Sequence, residues 1–96
     1  MPIYVSFLKS TAEGNKDIKK SRERFEAGKK GVEAAGGKIL AAYHIIARGE
    51  SLIISEFPDE KARVKSMIKT LQRGNVSYEV FTIMPMEDYL KLTDQV

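Results

Sequence analysis

Lys38-Ile39-Leu40-Ala41-Ala42-Tyr43-His44-Ile45-Ile46-Ala47 and Leu52-Ile53-Ile54-Ser55-Glu56-Phe57 are two apolar runs joined by a tight polar turn, Arg48-Gly49-Glu50-Ser51. Both runs are rich in β-branched and aromatic residues, and a short turn containing glycine predicts a β-hairpin between them. The second strand is read as Lys38 to Ala47 and the third as Ser51 to Phe57. Alternation puts Ile39, Ala41, Tyr43 and Ile45 on one face of the second strand. Leu40, Ala42, His44, Ile46 and Arg48 fall on the other. On the third strand, Leu52 and Ile54 oppose Ser51, Ile53 and Ser55.

Upstream of the hairpin, Phe25, Gly28, Val32 and Ala35 recur at helical spacing. They predict a helix over about Arg22 to Ala35 that is capped by Ser21 and faces the sheet with this stripe. Gly28 and Gly31 each cost about 1 kcal/mol relative to alanine inside a helix. They are read as marks of close approach to the strands. Gly36-Gly37 supplies the left-handed stop. Earlier still, Ile3-Tyr4-Val5-Ser6-Phe7-Leu8 reads as the first strand. Thr11 then caps a short helical turn through Ile18. Downstream, Pro58 ends the third strand and Asp59 caps a helix with a Val64, Met67, Ile68, Leu71 stripe. Gly74 stops that helix, Asn75 to Met84 is the fourth strand, and Pro85 precedes a short helix over Met86 to Leu92.

The order is therefore β-α-β-β-α-β with a helical tail. It predicts a single α+β domain over residues 1–96: a ferredoxin-like sandwich with a four-stranded antiparallel sheet, two helices on one face and a short C-terminal helix. The helix-free face is expected to carry Leu8, Leu40, Ile46 and Ile53 among Ser6, Ser51 and Ser55. A contiguous apolar face of this kind rarely stays wet. The expectation is a twofold homodimer through this face, a dimeric α/β barrel.

Composition narrows the chemistry. The chain has no cysteine, so thiolate nucleophiles, disulfides and cysteine metal clusters are excluded. That usage fits a cytoplasmic protein. No apolar run reaches the ~18 residues of a membrane helix, and the N-terminus lacks a secretory pattern, so no membrane partner is expected. Sixteen basic and thirteen acidic residues are interspersed, giving a net charge of only +3. The run Lys16, Lys19, Lys20, Arg22, Arg24, Lys29, Lys30 alternates with Asp17, Glu23, Glu26 and Glu33, as on a solvated helix face. RNA recognition motifs share this strand order, but the third strand here, Glu50-Ser51-Leu52-Ile53-Ile54-Ser55, carries no aromatic ring for base stacking. Nucleic acid is therefore not an expected partner.

Taken together, Thr11-Ala12-Glu13-Gly14, Ile18-Lys19, Ser21-Arg22-Glu23-Arg24, Gly36-Gly37-Lys38, Tyr43, Glu56-Phe57-Pro58-Asp59, Gly74-Asn75-Val76 and Glu79 resemble the GYD-domain family of small bacterial and archaeal proteins. The resemblance spans nearly the whole chain. It implies a ferredoxin-like α+β fold, of a kind that often pairs as dimers, and it implies no assigned reaction. The chain departs from the eponymous Gly-x-Tyr-Asp motif, where it reads Ala47-Arg48-Gly49-Glu50. It also departs after Ser21, where the family proline is Arg22.

The candidate ligand-binding residues are Tyr43, His44, Arg48 and Glu50. His44 is the only histidine, and so the only side chain that ordinarily titrates near neutrality. A single histidine falls short of a metal site, so no metal or cofactor is expected. Arg48 and Glu50 flank the turn and could hold a polar ligand or simply pair. Tyr4 and Tyr43 fall on opposite faces. No phosphate-binding loop, dinucleotide fingerprint or serine elbow is present. The expected function is a non-catalytic module for a small ligand or a protein. Two alternatives are a cofactor-independent dimeric-barrel enzyme acting on a small aromatic or carbonyl compound through His44, Tyr43 and Arg48, and single-stranded nucleic-acid binding.

Overall fold

The hairpin forms, with its turn two residues earlier than expected. In the computed structural model, which describes residues 1–96, β2 (Lys38–Ile45) and β3 (Glu50–Glu56) pair antiparallel. The chain turns through Ile46-Ala47-Arg48-Gly49. The Ile45 carbonyl accepts from both the Arg48 and Gly49 N–H groups. Gly49 has φ 62°, a left-handed value that a residue without Cβ adopts freely.

β1 (Ile3–Ser10) lies between β3 and β4 (Val76–Ile83). The sheet order is β2-β3-β1-β4, and every pairing is antiparallel. The helices are α1 (Ala12–Lys16), α2 (Ser21–Ala34), α3 (Glu60–Gln72) and α4 (Met86–Asp94), with a 3-10 turn, Ile18–Lys20, before α2. The fold is thus α+β with a four-stranded antiparallel sheet. Thr11 Oγ1 accepts from the Gly14 N–H at 3.1 Å, and Asp59 Oδ1 accepts from the Ala62 N–H at 2.8 Å, so both expected caps are present. Ser21 is not a cap. The 3-10 turn runs directly into α2, and the Ser21 hydroxyl donates back to the Ile18 carbonyl at 2.6 Å.

Two joints tie the ends of the elements together. Thr11 donates its N–H to the Asn75 carbonyl and its hydroxyl to the Gly74 carbonyl. A Cβ on Gly14 would stand 2.1 Å from that Asn75 oxygen, so only glycine fits there. At the opposite end of the sheet, Gly36-Gly37 packs on Glu56-Phe57-Pro58. The stretches that carry the family resemblance are largely these joints.

The strand ladders correct the expected sides. Tyr4, Ser6, Leu8, Ile53, Ser55, Tyr78 and Val80 lie under α2 and α3, because Ser6, Leu8, Ile53, Ser55, Tyr78 and Val80 share one cavity with residues of both helices. The helix-free face instead carries Ile3, Val5, Phe7, Ala41, Tyr43, Ile45, Leu52, Ile54, Phe81 and Ile83. Alternation within β1 and β3 is as read. The choice of covered side is inverted, because both faces contain apolar residues and periodicity alone does not say where helices land. In β2 the alternation itself breaks. A bulge at Leu40 lets Ile39 pair with Ser55 and Ala41 with Ile54, so Ile39 and Ala41 face opposite ways. Ile46 is in the turn and almost fully exposed.

The helices also meet the sheet differently from the expected stripes. Phe25, Gly28 and Val32 of α2 face inward as read. On α3 the inward residues are Arg63, Ser66, Met67 and Thr70, while Ile68 and Leu71 remain 48% and 42% exposed. Outside the helix's own backbone and the adjoining residues, no heavy atom lies within 4 Å of a Cβ built on Gly28 or Gly31. These glycines do not mark close contact; at Gly28 the missing side chain leaves open space.

Candidate functional site

The floor of the helix-covered side is unusually polar. Ser6 on β1 and Ser55 on β3 are buried diagonal neighbours. Hydroxyls at inward sheet positions forgo the burial that valine or leucine would give, and they carry a desolvation cost unless something bonds to them. Above them is a cavity of about 90 Å³. Its apolar walls include Leu8, Val32, Ile39, Phe57, Met67 and Val80. Arg24, Lys29 and Arg63 supply cationic walls, Ser66, Thr70 and Tyr78 supply hydroxyls, and no aspartate or glutamate lines the cavity.

Arg63 is the most constrained of these groups. Position 63 is one turn into α3, which points the side chain back toward Tyr4. Its Nη2 donates to Glu60 Oε1 at 2.6 Å. The guanidinium carbon sits 5.1 Å from the centre of the Tyr4 ring, a cation–π arrangement. Nη1 lies 3.7 Å from Met67 Sδ, a weak acceptor. Nε is buried and has no hydrogen-bond partner. Tyr4 completes the network. Its ring is buried edge-on to Phe57 at 6.0 Å, and its hydroxyl donates to Glu60 Oε2 at 2.8 Å.

The charges respond to this arrangement. The Arg63 hydrogen bond, then that of Tyr4, holds the Glu60 carboxyl below the ordinary glutamate range. Burial, then the neighbouring Glu60, pushes the Tyr4 phenol above its ordinary range. Burial likewise raises the Tyr78 phenol above its ordinary range.

The four candidates read from the sequence do not converge on this cavity. Tyr43 is on the helix-free face and largely exposed. His44 projects to the other face. Its Nδ1 lies 3.3 Å from Ser51 Oγ, and with Phe25 and Ile53 it borders a shallow dip at the edge strand. Arg48 and Glu50 do meet, Nε to Oε1 at 2.5 Å, with the glutamate side chain only 10% exposed. Arg63, Ser6 and Ser55 were not singled out by the sequence reading. A usable signal existed: an arginine interrupts the expected apolar face of α3, and serines alternate with apolar residues on two adjacent strands.

These features sit in a recognisable frame. A sequence model of the GYD domain matches residues 4–93. The chain belongs to the GYD-domain family. No curated protein and no solved structure matches it significantly. Within this GYD domain the eponymous hairpin carries the Arg48–Glu50 pair, on the opposite face of the sheet from the Arg63 cavity. No helix is long and apolar enough to cross a membrane.

Proposed function

We propose that this GYD domain is a ferredoxin-like binding module that takes a small organic anion, best a short carboxylate, into the cavity between helices and sheet. The strand order β2-β3-β1-β4 supports the ferredoxin-like reading. The observation that carries the ligand is Arg63 Nε: a buried cationic donor without an acceptor, on walls that hold no acid. Leaving such an N–H unsatisfied costs roughly 1–3 kcal/mol, which an entering carboxylate oxygen would relieve. Tyr78, Ser6 and Ser55 provide further hydrogen bonds, and the apolar wall suits a short hydrocarbon body.

Volume sets the size. About 90 Å³ equals roughly three waters' share of liquid and is smaller than the ~150 Å³ cavity that accepts benzene. Neither Tyr43 nor His44 lines the cavity, which favours binding over turnover.

The test is nuclear magnetic resonance titration with acetate, propionate and butyrate, and with their amides. The carboxylates are expected to shift the Ser6 and Ser55 amides and the Arg63 Nε–H signal, while the amides do not. Arg63→Gln is expected to abolish the shifts. Equal responses to acids and amides, or none to either at millimolar concentration, would reject the reading.

A further inference from the structure

Apart from the helix–sheet cavity, two features have no partner within the chain. One is the helix-free sheet face. The other is α4, which makes no more than marginal contact with any other element. Its apolar residues Met86, Tyr89 and Leu90 fall at i, i+3 and i+4, with Thr93 following at i+7, and Leu92 widens the stripe. Glu87, Asp88, Lys91 and Asp94 fill the opposite arc. The apolar stripe is in solvent: Tyr89, Leu90 and Leu92 are 54%, 44% and 51% exposed. The arm makes the molecule long, at 51 × 31 × 16 Å. Its radius of gyration is 14.7 Å, against about 12.5 Å for a compact chain of this length.

We infer that α4 is an exchanged arm: a second copy of this chain packs on the helix-free face, and each copy lays α4 across the other. This inference is independent of the ligand reading. Three observations select a second copy. First, the face has the anatomy of an interface, with an apolar centre of Val5, Phe7, Leu52, Ile54 and Phe81 and a polar rim. Phe7 and Phe81 stack edge-on at 6.3 Å in that centre.

Second, the rim carries both signs at both ends. Lys38 faces Glu56 across the strands at one end, and Lys9 faces Glu50 near Glu79 at the other. A twofold mate can oppose unlike charges on such a rim, whereas a phosphate backbone meets three carboxylates. The charged arc of α4 has three acids and one lysine, on a chain that is basic overall. That sign suits the basic body of another copy and opposes an anionic membrane.

Third, the area calls for the arm. Four strands of about eight residues present a projected face of roughly 500 Å². Stable dimers bury roughly 800 Å² or more of accessible surface per partner, and the exposed stripe of α4 adds to what the sheet face can bury.

Sedimentation equilibrium of the full chain at micromolar concentration tests this. The wild type is expected at twice the single-chain mass. Leu90→Glu combined with Leu92→Glu is expected to weaken association at least about a hundredfold. Lys91→Ala on the charged arc should leave the mass unchanged. Because α4 makes only marginal contact with its own chain, the double variant should keep the circular dichroism of the folded body and lose no more than the contribution of α4 itself. A photoreactive benzoylphenylalanine at Tyr89 should cross-link to a second copy, shown by mass spectrometry of mixed isotopes. A wild type that sediments as one chain overturns the inference. So does a double variant that remains fully paired, or a cross-link confined to the arm's own chain. Flotation of a single-chain species with anionic vesicles would also overturn it, in favour of a membrane.

Discussion

The two faces of this sheet are built to opposite plans. Under α2 and α3 the strands offer Tyr4, Ser6, Ser10, Ser51, Ser55 and His44 among the apolar residues, and the space above is partly empty. On the far side Val5, Phe7, Leu52, Ile54, Phe81 and Ile83 form a nearly continuous apolar field with no helix over it. In a domain that folded only to hide its apolar surface, the helices would sit on the second face. Their position on the first encloses a polar-lined space and leaves the apolar field without a helix, the surface on which the proposed second copy would rest. Only Tyr4 and Phe57 are buried large hydrophobic residues, so the internal core is thin.

The sharpest way to break this comparison is to delete one aromatic ring from each side. Phe57→Ala is expected to cost about 3–5 kcal/mol, much of the ~5–15 kcal/mol that a domain possesses. Phe81→Ala, on a ring 48% exposed, is expected to cost about 1 kcal/mol in dilute solution. Urea midpoints of the two variants measure both. Equal losses would mean that the faces are not distinct in the way described.

Filling the cavity sharpens the same contrast. Gly28→Leu adds a side chain where nothing lies within 4 Å and removes a helix glycine. It should raise stability by about 1 kcal/mol while reducing carboxylate binding at least tenfold. Thermal melts and titrations read the two effects separately. Tyr4→Phe, which keeps the ring and removes the bond to Glu60, is expected to cost about 1 kcal/mol and to return the Glu60 carboxyl toward its ordinary range. Gly31→Ala, at a position equally free of neighbours, should stabilise by about 0.5–1 kcal/mol.

The smallest expected effect is acid dependence. Glu60 titrates lower in the folded chain than in the unfolded one. Its contribution is therefore complete above the ordinary glutamate range and is lost as pH falls through the lower, folded value. The stability gap between wild type and Glu60→Gln should narrow over that acidic window. A gap that widens there would contradict the Arg63–Glu60–Tyr4 arrangement.

Much of this was legible in the residues. Asp59, Thr11, Gly36 and Gly74 delimit elements through local chemistry that tertiary context does not override, and their positions hold. The covered side of the sheet was not legible. Leu8 and Ile53 look as suited to an outer face as Phe7 and Leu52, and only the approach of α2 and α3 decides between them. The bulge at Leu40 was hidden for a related reason: one inserted residue reverses alternation without any glycine or proline to announce it. The cavity was missed because Arg63 reads as a surface residue on a helix. Its burial depends on Tyr4, which lies 59 positions earlier in the chain.

The shortness of the terminal arm has a consequence of its own. Nine residues are fewer than the roughly 12–15 at which a lone helix begins to hold in water, and its own chain gives this one no more than marginal support. Its winding is therefore tied to whatever it rests on. With the proposed second copy as that support, far-ultraviolet ellipticity should fall on dilution as the last segment uncoils, which makes the tail a built-in gauge of the chain's own concentration.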